Sequence, residues 1–197
     1  GDQSKAKGLK TKKLTDAITV ANGKAKVKGW ARKSEKAEIT ATTQSGESAT
    51  YSARDLAKHI NQGVEEEYWT VKKTGGELNF NLTDKWRNLI KDYKNGENPI
   101  QLLSCSGKNT IEDGVYYFDD ASFEDIVSGV RGAGTVTAIA GVIVGAITTA
   151  TIGPAVFAIA GLLVAFGAGE LGQINEGCGI KVDPDASNEV QPQDCDC

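Results

Sequence analysis

Cys105 and His59 are the two side chains of this sequence whose types could perform nucleophilic chemistry. His59 is the single histidine, and Cys105 follows the apolar run PIQLLS at 99–104. A nucleophilic cysteine needs a base within hydrogen-bond reach and a stabilised thiolate. Neither residue has a His-Gly or glycine-rich oxyanion signature around it. The acidic pairs Glu112-Asp113 and Asp119-Asp120 could serve general acid–base work or hold calcium, or they could simply favour helix starts. The sequence has no phosphate-binding loop, no Gly-x-Gly-x-x-Gly after a strand and no EF-hand loop. No cofactor and no metal are expected.

The cysteines fit a different role. There are four, at 105, 178, 195 and 197, without Cys-x-x-Cys spacing and with one histidine to complete a metal site. Two disulfides are expected, and with them secretion. Cys195 and Cys197 are too close to pair comfortably with each other. One should therefore reach Cys105 and the other Cys178, with the order open. Asn81-Leu82-Thr83 is a glycosylation sequon in a eukaryotic source. No methionine occurs in the chain, so a processed or engineered N-terminus is expected.

The longest feature is apolar. Between Arg131 and Glu170, residues 132–169 carry no charged side chain, and Gly153-Pro154 divides them. At about 1.5 Å per residue, a half of roughly 18 residues spans about 27 Å, close to the roughly 30 Å hydrocarbon core of a bilayer. Proline cannot continue a helix it interrupts, so a helical hairpin turning at Gly153-Pro154 is predicted. Thr137, Gly141, Gly145, Thr149 and Gly153 recur at four-residue spacing, as do Gly161, Ala165 and Gly169. Each set predicts a helix face that admits close backbone approach. Ile139, Val142, Ile143, Ile147, Phe157, Leu162, Leu163 and Phe166 occupy the other faces, suited to lipid or to a core. Ile143, Ile147, Leu162 and Phe166 are expected in or near the core at rest, because an exposed stretch of this size would drive aggregation.

In composition and length, residues 132–169 resemble the membrane-inserting hairpin of colicin-type pore-forming toxins. The resemblance implies membrane insertion as a mode of action. It covers the hairpin alone, since pore-forming colicin domains are all-helical and the preceding residues here read as strand and helix.

Charge is uneven. Residues 1–36 hold eleven Lys and Arg against three acids, residues 37–131 ten against sixteen, and residues 132–197 one against seven. Residues 1–13 read as a flexible basic arm. Strands are predicted at 17–21 and 24–31 around Asn22-Gly23, and at 37–44 and 47–51 around Ser45-Gly46, as one antiparallel meander. Lys24, Lys26 and Lys28 alternate onto one solvated face, a candidate anionic-surface contact. Ser52 is an N-cap for a helix at 53–62 that Gly63 ends. Strands at 67–73 and 77–82 flank Thr74-Gly75-Gly76. Thr83 caps a helix with Trp86, Leu89, Ile90 and Tyr93 on one face. Residues 99–104 and 115–118 are candidate central strands, and a helix from Ser122 leads into the hairpin.

The predicted fold is α+β: antiparallel strands with short amphipathic helices at 14–131, the hydrophobic hairpin at 132–172, and a disulfide-stapled tail at 173–197. The first functional reading is a secreted, non-enzymatic membrane-active protein of pore-forming or killer-toxin type. It would insert the hairpin through Gly141, Ile143, Gly145, Ile147, Gly153, Pro154, Phe157, Gly161, Leu162 and Phe166. Its partners would be membrane lipid, with a cell-surface receptor or self-oligomer, and no nucleic acid. The alternative is a secreted binding or structural domain whose hairpin is permanent core. The third is a cysteine hydrolase using Cys105 and His59.

Overall fold

Asn22 and Gly23 both adopt positive φ, 55° and 74°, as a two-residue type I′ turn demands. They join β1 (Ile18–Ala21) to β2 (Lys24–Val27), with Ile18 opposite Val27 and Ala21 opposite Lys24. The computed structural model describes residues 9–32, 37–91, 107–132, 134–185 and 189–195. Within them, β1–β2 forms a sheet of its own. The expected single meander is therefore divided. After β2 the chain turns into the short helix α2 (Gly29–Arg32), and the Lys28 amide donates back to the Ala17 carbonyl at 2.7 Å.

A second isolated hairpin pairs β5 (Trp69–Thr74) with β6 (Glu77–Leu82) through Gly75 and Gly76, again both at positive φ. The remaining strands form one six-stranded sheet in the order β4-β3-β10-β9-β8-β7. These are β3 (Glu38–Thr43), β4 (Ser48–Ser52), β7 (Thr110–Glu112), β8 (Val115–Phe118), β9 (Ile180–Val182) and β10 (Glu189–Pro192). The tail thus fills the middle of the sheet. β10 runs parallel to β3, with Glu189 opposite Thr42, and antiparallel to β9, with Val190 opposite Val182. Ile180, Val182 and Val190 are fully buried there.

The helices are α1 (Leu9–Asp16), α2, α3 (Ala53–Glu65), α4 (Asp84–Lys91), α5 (Asp120–Gly132), α6 (Val136–Ala146) and α7 (Pro154–Ile174). α1 begins inside the stretch expected to be a flexible arm. Its Thr11 amide and hydroxyl both donate to Asp185 Oδ1, at 3.1 and 2.5 Å, and Leu14 is buried beneath it. Ser52 starts α3 with a reciprocal capping box: its hydroxyl accepts from the Asp55 amide, and the Asp55 carboxylate accepts from the Ser52 amide. Gly63 lies within α3 rather than ending it, because a Cβ there would fall inside the Trp69 ring. The candidate strand at 99–104 and Tyr93 lie outside the described residues.

α7 is the hub. It packs against α6, α5 and α3, against α1, and across β3 and β4. Trp69, Trp86 and Phe157 meet edge-on beside it, with centroids 5.2 Å apart for the two tryptophans and 5.5 Å for Trp69 and Phe157. The largest cluster of aromatic side chains in the α+β portion is built around an apolar helix.

Candidate functional site

The two apolar helices differ in length. Thr135 caps α6, its hydroxyl accepting from the Ala138 amide at 3.3 Å, and the helix ends after eleven residues with Ile147 in extended conformation. That is about 16 Å of rise, well short of a bilayer. The expected arm of roughly 18 residues is cut short, and Asn109 Nδ2 donates to the Ala146 carbonyl at the helix end. Pro154 opens α7 at the first-turn position, where its missing amide costs nothing. α7 is 21 residues long, and by length and composition it could cross a membrane. Gly167 divides it at φ 84° and ψ 159°, a conformation that L side chains rarely adopt.

The small residues face different partners: Gly161 seats a ring from β4, whereas Gly141 faces helix α4. A Cβ on Gly161 would fall inside the Tyr51 ring, and a Cβ on Gly141 would meet Trp86 at 3.5 Å and Leu89 at 3.7 Å. Gly129, outside the predicted stripe, faces Ile139 of α6 at 2.8 Å from such a Cβ. Gly145 is buried, while Thr149, Ala165 and Gly169 are exposed and Gly153 is half-buried. The four-residue spacing is real, but it does not mark one continuous seam. Ile143, Ile147, Phe157 and Leu162 are buried, and Phe166 is partly buried against the same core.

His59 sits on α3 at the rim of a cleft of about 690 Å³ that Lys58, Gln62, Glu65, Thr135 and Val164 also line. Its Nδ1 meets the Tyr51 hydroxyl at 3.1 Å, and the two rings stack with centroids 5.8 Å apart. Burial pushes the His59 pKa down; Asp55 pulls it up and Lys58 pushes it down. Burial, with Asp55, holds the Tyr51 hydroxyl well above the usual range. A neutral imidazole facing a neutral phenol is the arrangement these shifts favour. Tyr51 therefore links the cleft to α7, through His59 on one side and Gly161 on the other. Cys105 lies outside the described residues; among those described, Tyr51 is the hydrogen-bond partner of His59.

The acidic pairs have structural work. Asp119 Oδ1 accepts from the Ser122 amide at 2.8 Å at the start of α5, and Asp120 Oδ1 accepts from Asn175 Nδ2 at 2.7 Å beyond α7. Glu112 pairs with Lys108 at 3.0 Å, and Asp113 takes positive φ in the β7–β8 turn. Among the described residues, no group of three or more His, Cys, Asp or Glu side chains could hold a metal ion. Thr83 of the sequon donates its hydroxyl to the Glu67 and Tyr68 carbonyls, and Asn81 is exposed on β6.

Cys178 is bonded to Cys195, one of the two pairings left open by the spacing; Cys105 and Cys197 lie outside the described residues. Beside this bond lies Gln193, which the sequence did not single out. Its Oε1 accepts from the Lys108 amide at 2.8 Å, and its Nε2 donates to the Lys108 and Phe118 carbonyls at 2.9 and 2.7 Å. The disulfide closes the tail on itself, and this glutamine ties it to Lys108 and to Phe118 of β8. Lys24, Lys26 and Lys28 are all exposed, with Trp30 just beyond them. No family model, no curated protein and no solved structure matches the chain.

Proposed function

We propose that this is a secreted membrane-active protein that stores α6 and α7 against its α+β portion and releases them into a lipid bilayer, as a pore-forming or killer-type toxin would. The observation that carries this reading is α7 itself, whose 21 residues suffice by length and composition to cross a membrane once the break at Gly167 becomes helical, yet only half of its apolar stretch is buried. Val164 and Phe166 are half-buried and Ala165 is exposed. Up to Glu170, whose carboxylate accepts from the Ser45 hydroxyl at 2.9 Å, the outer face of α7 carries no charge, which a helix serving only as core does not need. Lipid is the partner, with a receptor or self-assembly assisting. The reading assigns no catalytic role to His59 or Cys105.

Ala165 supplies the test. It is exposed at rest and lies near the middle of Pro154–Ile174. A carboxylate there is solvated in the stored state, but costs about 2.5–3.5 kcal/mol at the centre of a membrane-spanning helix. Ala165→Asp is expected to keep the parent's circular dichroism and melting temperature while losing dye release from liposomes, with Ala165→Ser retaining it. A folded Ala165→Asp variant with undiminished leakage, or a parent that releases no dye at any pH, would refute insertion.

A second reading, α6 and α7 as permanent core of a binding domain, draws on the fit of Tyr51 to Gly161 and of Trp69 to Phe157. It expects no leakage from the parent and no effect of Ala165→Asp.

A further inference from the structure

Trp30 is the exposed large hydrophobic side chain among the described residues, at 51% of its full area, whereas Trp69 and Trp86 are at 1% and 0%. It follows β2 directly. Along β2 and its continuation, Lys24, Lys26 and Lys28 are exposed while Ala25 between them is buried. The strand period puts Lys24 and Lys26 on one face of the β1–β2 hairpin, with Ala21 and Thr19 opposite them. None of the three lysines makes an ion pair with a described residue, where Arg87 with Asp84 and Lys108 with Glu112 do.

The β1–β2 hairpin connects to the start of α7 through Lys73 and α1. Lys73 Nζ donates to the Thr15 and Ile18 carbonyls at 2.9 and 2.6 Å, and both Lys28 and Asp16 act on its charge. Thr15 and Asp16 line a cleft with the Gly75-Gly76 turn, Glu77, Pro154 and Ala155. Lysines, an exposed indole and the loop between the two apolar helices are therefore linked through α1. Asp16 and Glu77 line this cleft, and α3, which packs on β2 through Asn61 and Ala25, carries Asp55 and Glu65; none of these four lies on the lysine strand.

We propose that Lys24, Lys26, Lys28 and Trp30 form a docking surface for anionic lipid headgroups, with the indole seated at the membrane interface. The chemistry favours lipid over a polyanionic polymer because of Trp30. Lysines alone suit either partner, but an exposed indole beside them has an apolar body and a polar N–H, the combination that favours the water–hydrocarbon boundary. The proposal rests on the membrane reading above and adds the lipid class and the face that meets it.

The test uses the whole protein, with binding to vesicles measured by sedimentation separately from leakage. The vesicles are phosphatidylcholine alone or an equal mixture with phosphatidylglycerol, at low salt. Each lysine near an anionic surface is worth about five-fold in affinity. The triple variant Lys24→Gln, Lys26→Gln, Lys28→Gln is expected to lose on the order of 100-fold on anionic vesicles. A control removing the same charge elsewhere, Lys58→Gln, Lys91→Gln, Arg131→Gln, should lose far less. Trp30 emission should shift to the blue on anionic vesicles and be quenched by brominated lipid, a signal that Trp30→Phe removes.

Equal losses in both triple variants would overturn the proposal in favour of net charge. So would lysine-dependent binding to heparin or DNA with no binding to vesicles, and so would equal affinity for neutral and anionic vesicles. Lysine-dependent binding without leakage would uphold this docking surface while refuting insertion. Leakage that survives loss of the lysines, without loss of binding, would do the reverse.

Discussion

Gly161→Ala and Gly172→Ala make the same chemical change in one helix, and the structure predicts opposite results. Both glycines lie in α7, and alanine gains up to about 1 kcal/mol of helix propensity over glycine. At Gly172 the new methyl meets nothing within 4 Å, so that gain should appear as added stability. At Gly161 the methyl falls inside the Tyr51 ring. Tyr51 cannot easily step aside, because it is 2% exposed and its hydroxyl is held 3.1 Å from His59 Nδ1. Overpacking of this kind costs about 1–3 kcal/mol, which outweighs the propensity gain. The net expectation for Gly161→Ala is a loss of roughly 1–2 kcal/mol. For a chain of this size that lowers the melting temperature by about 2–8 °C. Gly172→Ala should raise it by about 2–4 °C. Thermal melts followed by far-UV circular dichroism measure both, and near-UV spectra should show the Tyr51 environment altered in Gly161→Ala alone. A rise in melting temperature for Gly161→Ala would mean that Tyr51 does not pack on α7 as described.

Two further outcomes follow from His59 and from the disulfide. The folded pKa of His59 is depressed by burial, with Lys58 adding to and Asp55 opposing that shift. Its stability contribution is therefore fully present above the unfolded value of about 6.5 and is lost as pH falls through the folded value. Urea titrations from pH 7.5 to 5 should show falling stability that His59→Gln reduces; an unchanged slope in that variant would place the pH dependence elsewhere. Cys178→Ser opens a bond between residues 17 apart in sequence, worth about 3 kcal/mol in the chain-entropy account. The variant is preferable to reductant, which would not discriminate among the four cysteines, and an unchanged urea midpoint would show that strand pairing and Gln193 hold the tail without the bond.

Local signals in the sequence carried through wherever the backbone itself demanded a residue type. Asn22-Gly23 and Gly75-Gly76 take the positive φ angles that their turns need, and Ser52 with Asp55 closes a capping box. Three glycine and tail features were not legible, each for a distinct physical reason. β9 and β10 are three and four residues long, too short for alternation to register, and β10 gains its place through a parallel pairing with β3 more than 140 residues away. Gly63 reads as a helix stop because only the fold reveals the Trp69 ring above it. Gly161 reads like Gly141 as part of a helix–helix seam, yet Gly141 faces helix α4 and Gly161 faces Tyr51 of β4, because periodicity reports that a face is small, not what lies on it.

What lies on it constrains how α7 could leave. Tyr51 packs on Gly161 of α7, and Trp69 and Phe80 both touch the Phe157 ring, with Trp86 behind Trp69. The apolar surface of α7 would be reburied in lipid, so its own transfer is not the main cost of insertion. The cost falls on the portion left behind, whose aromatic cluster would face water or an unfilled cavity. Removing a single phenylalanine side chain from a core costs about 3–5 kcal/mol, and here a whole helix would be withdrawn. Release by simple hinge motion at Gly153 or Gly167 is therefore excluded on energetic grounds. The α+β portion must loosen together with α7, and the aromatic cluster must find lipid or collapse on itself. Under the insertion reading, storage and release would then be one equilibrium rather than two. A substitution that weakens the seat of α7 without charging it, as Gly161→Ala does, should therefore speed leakage in proportion to the stability it removes.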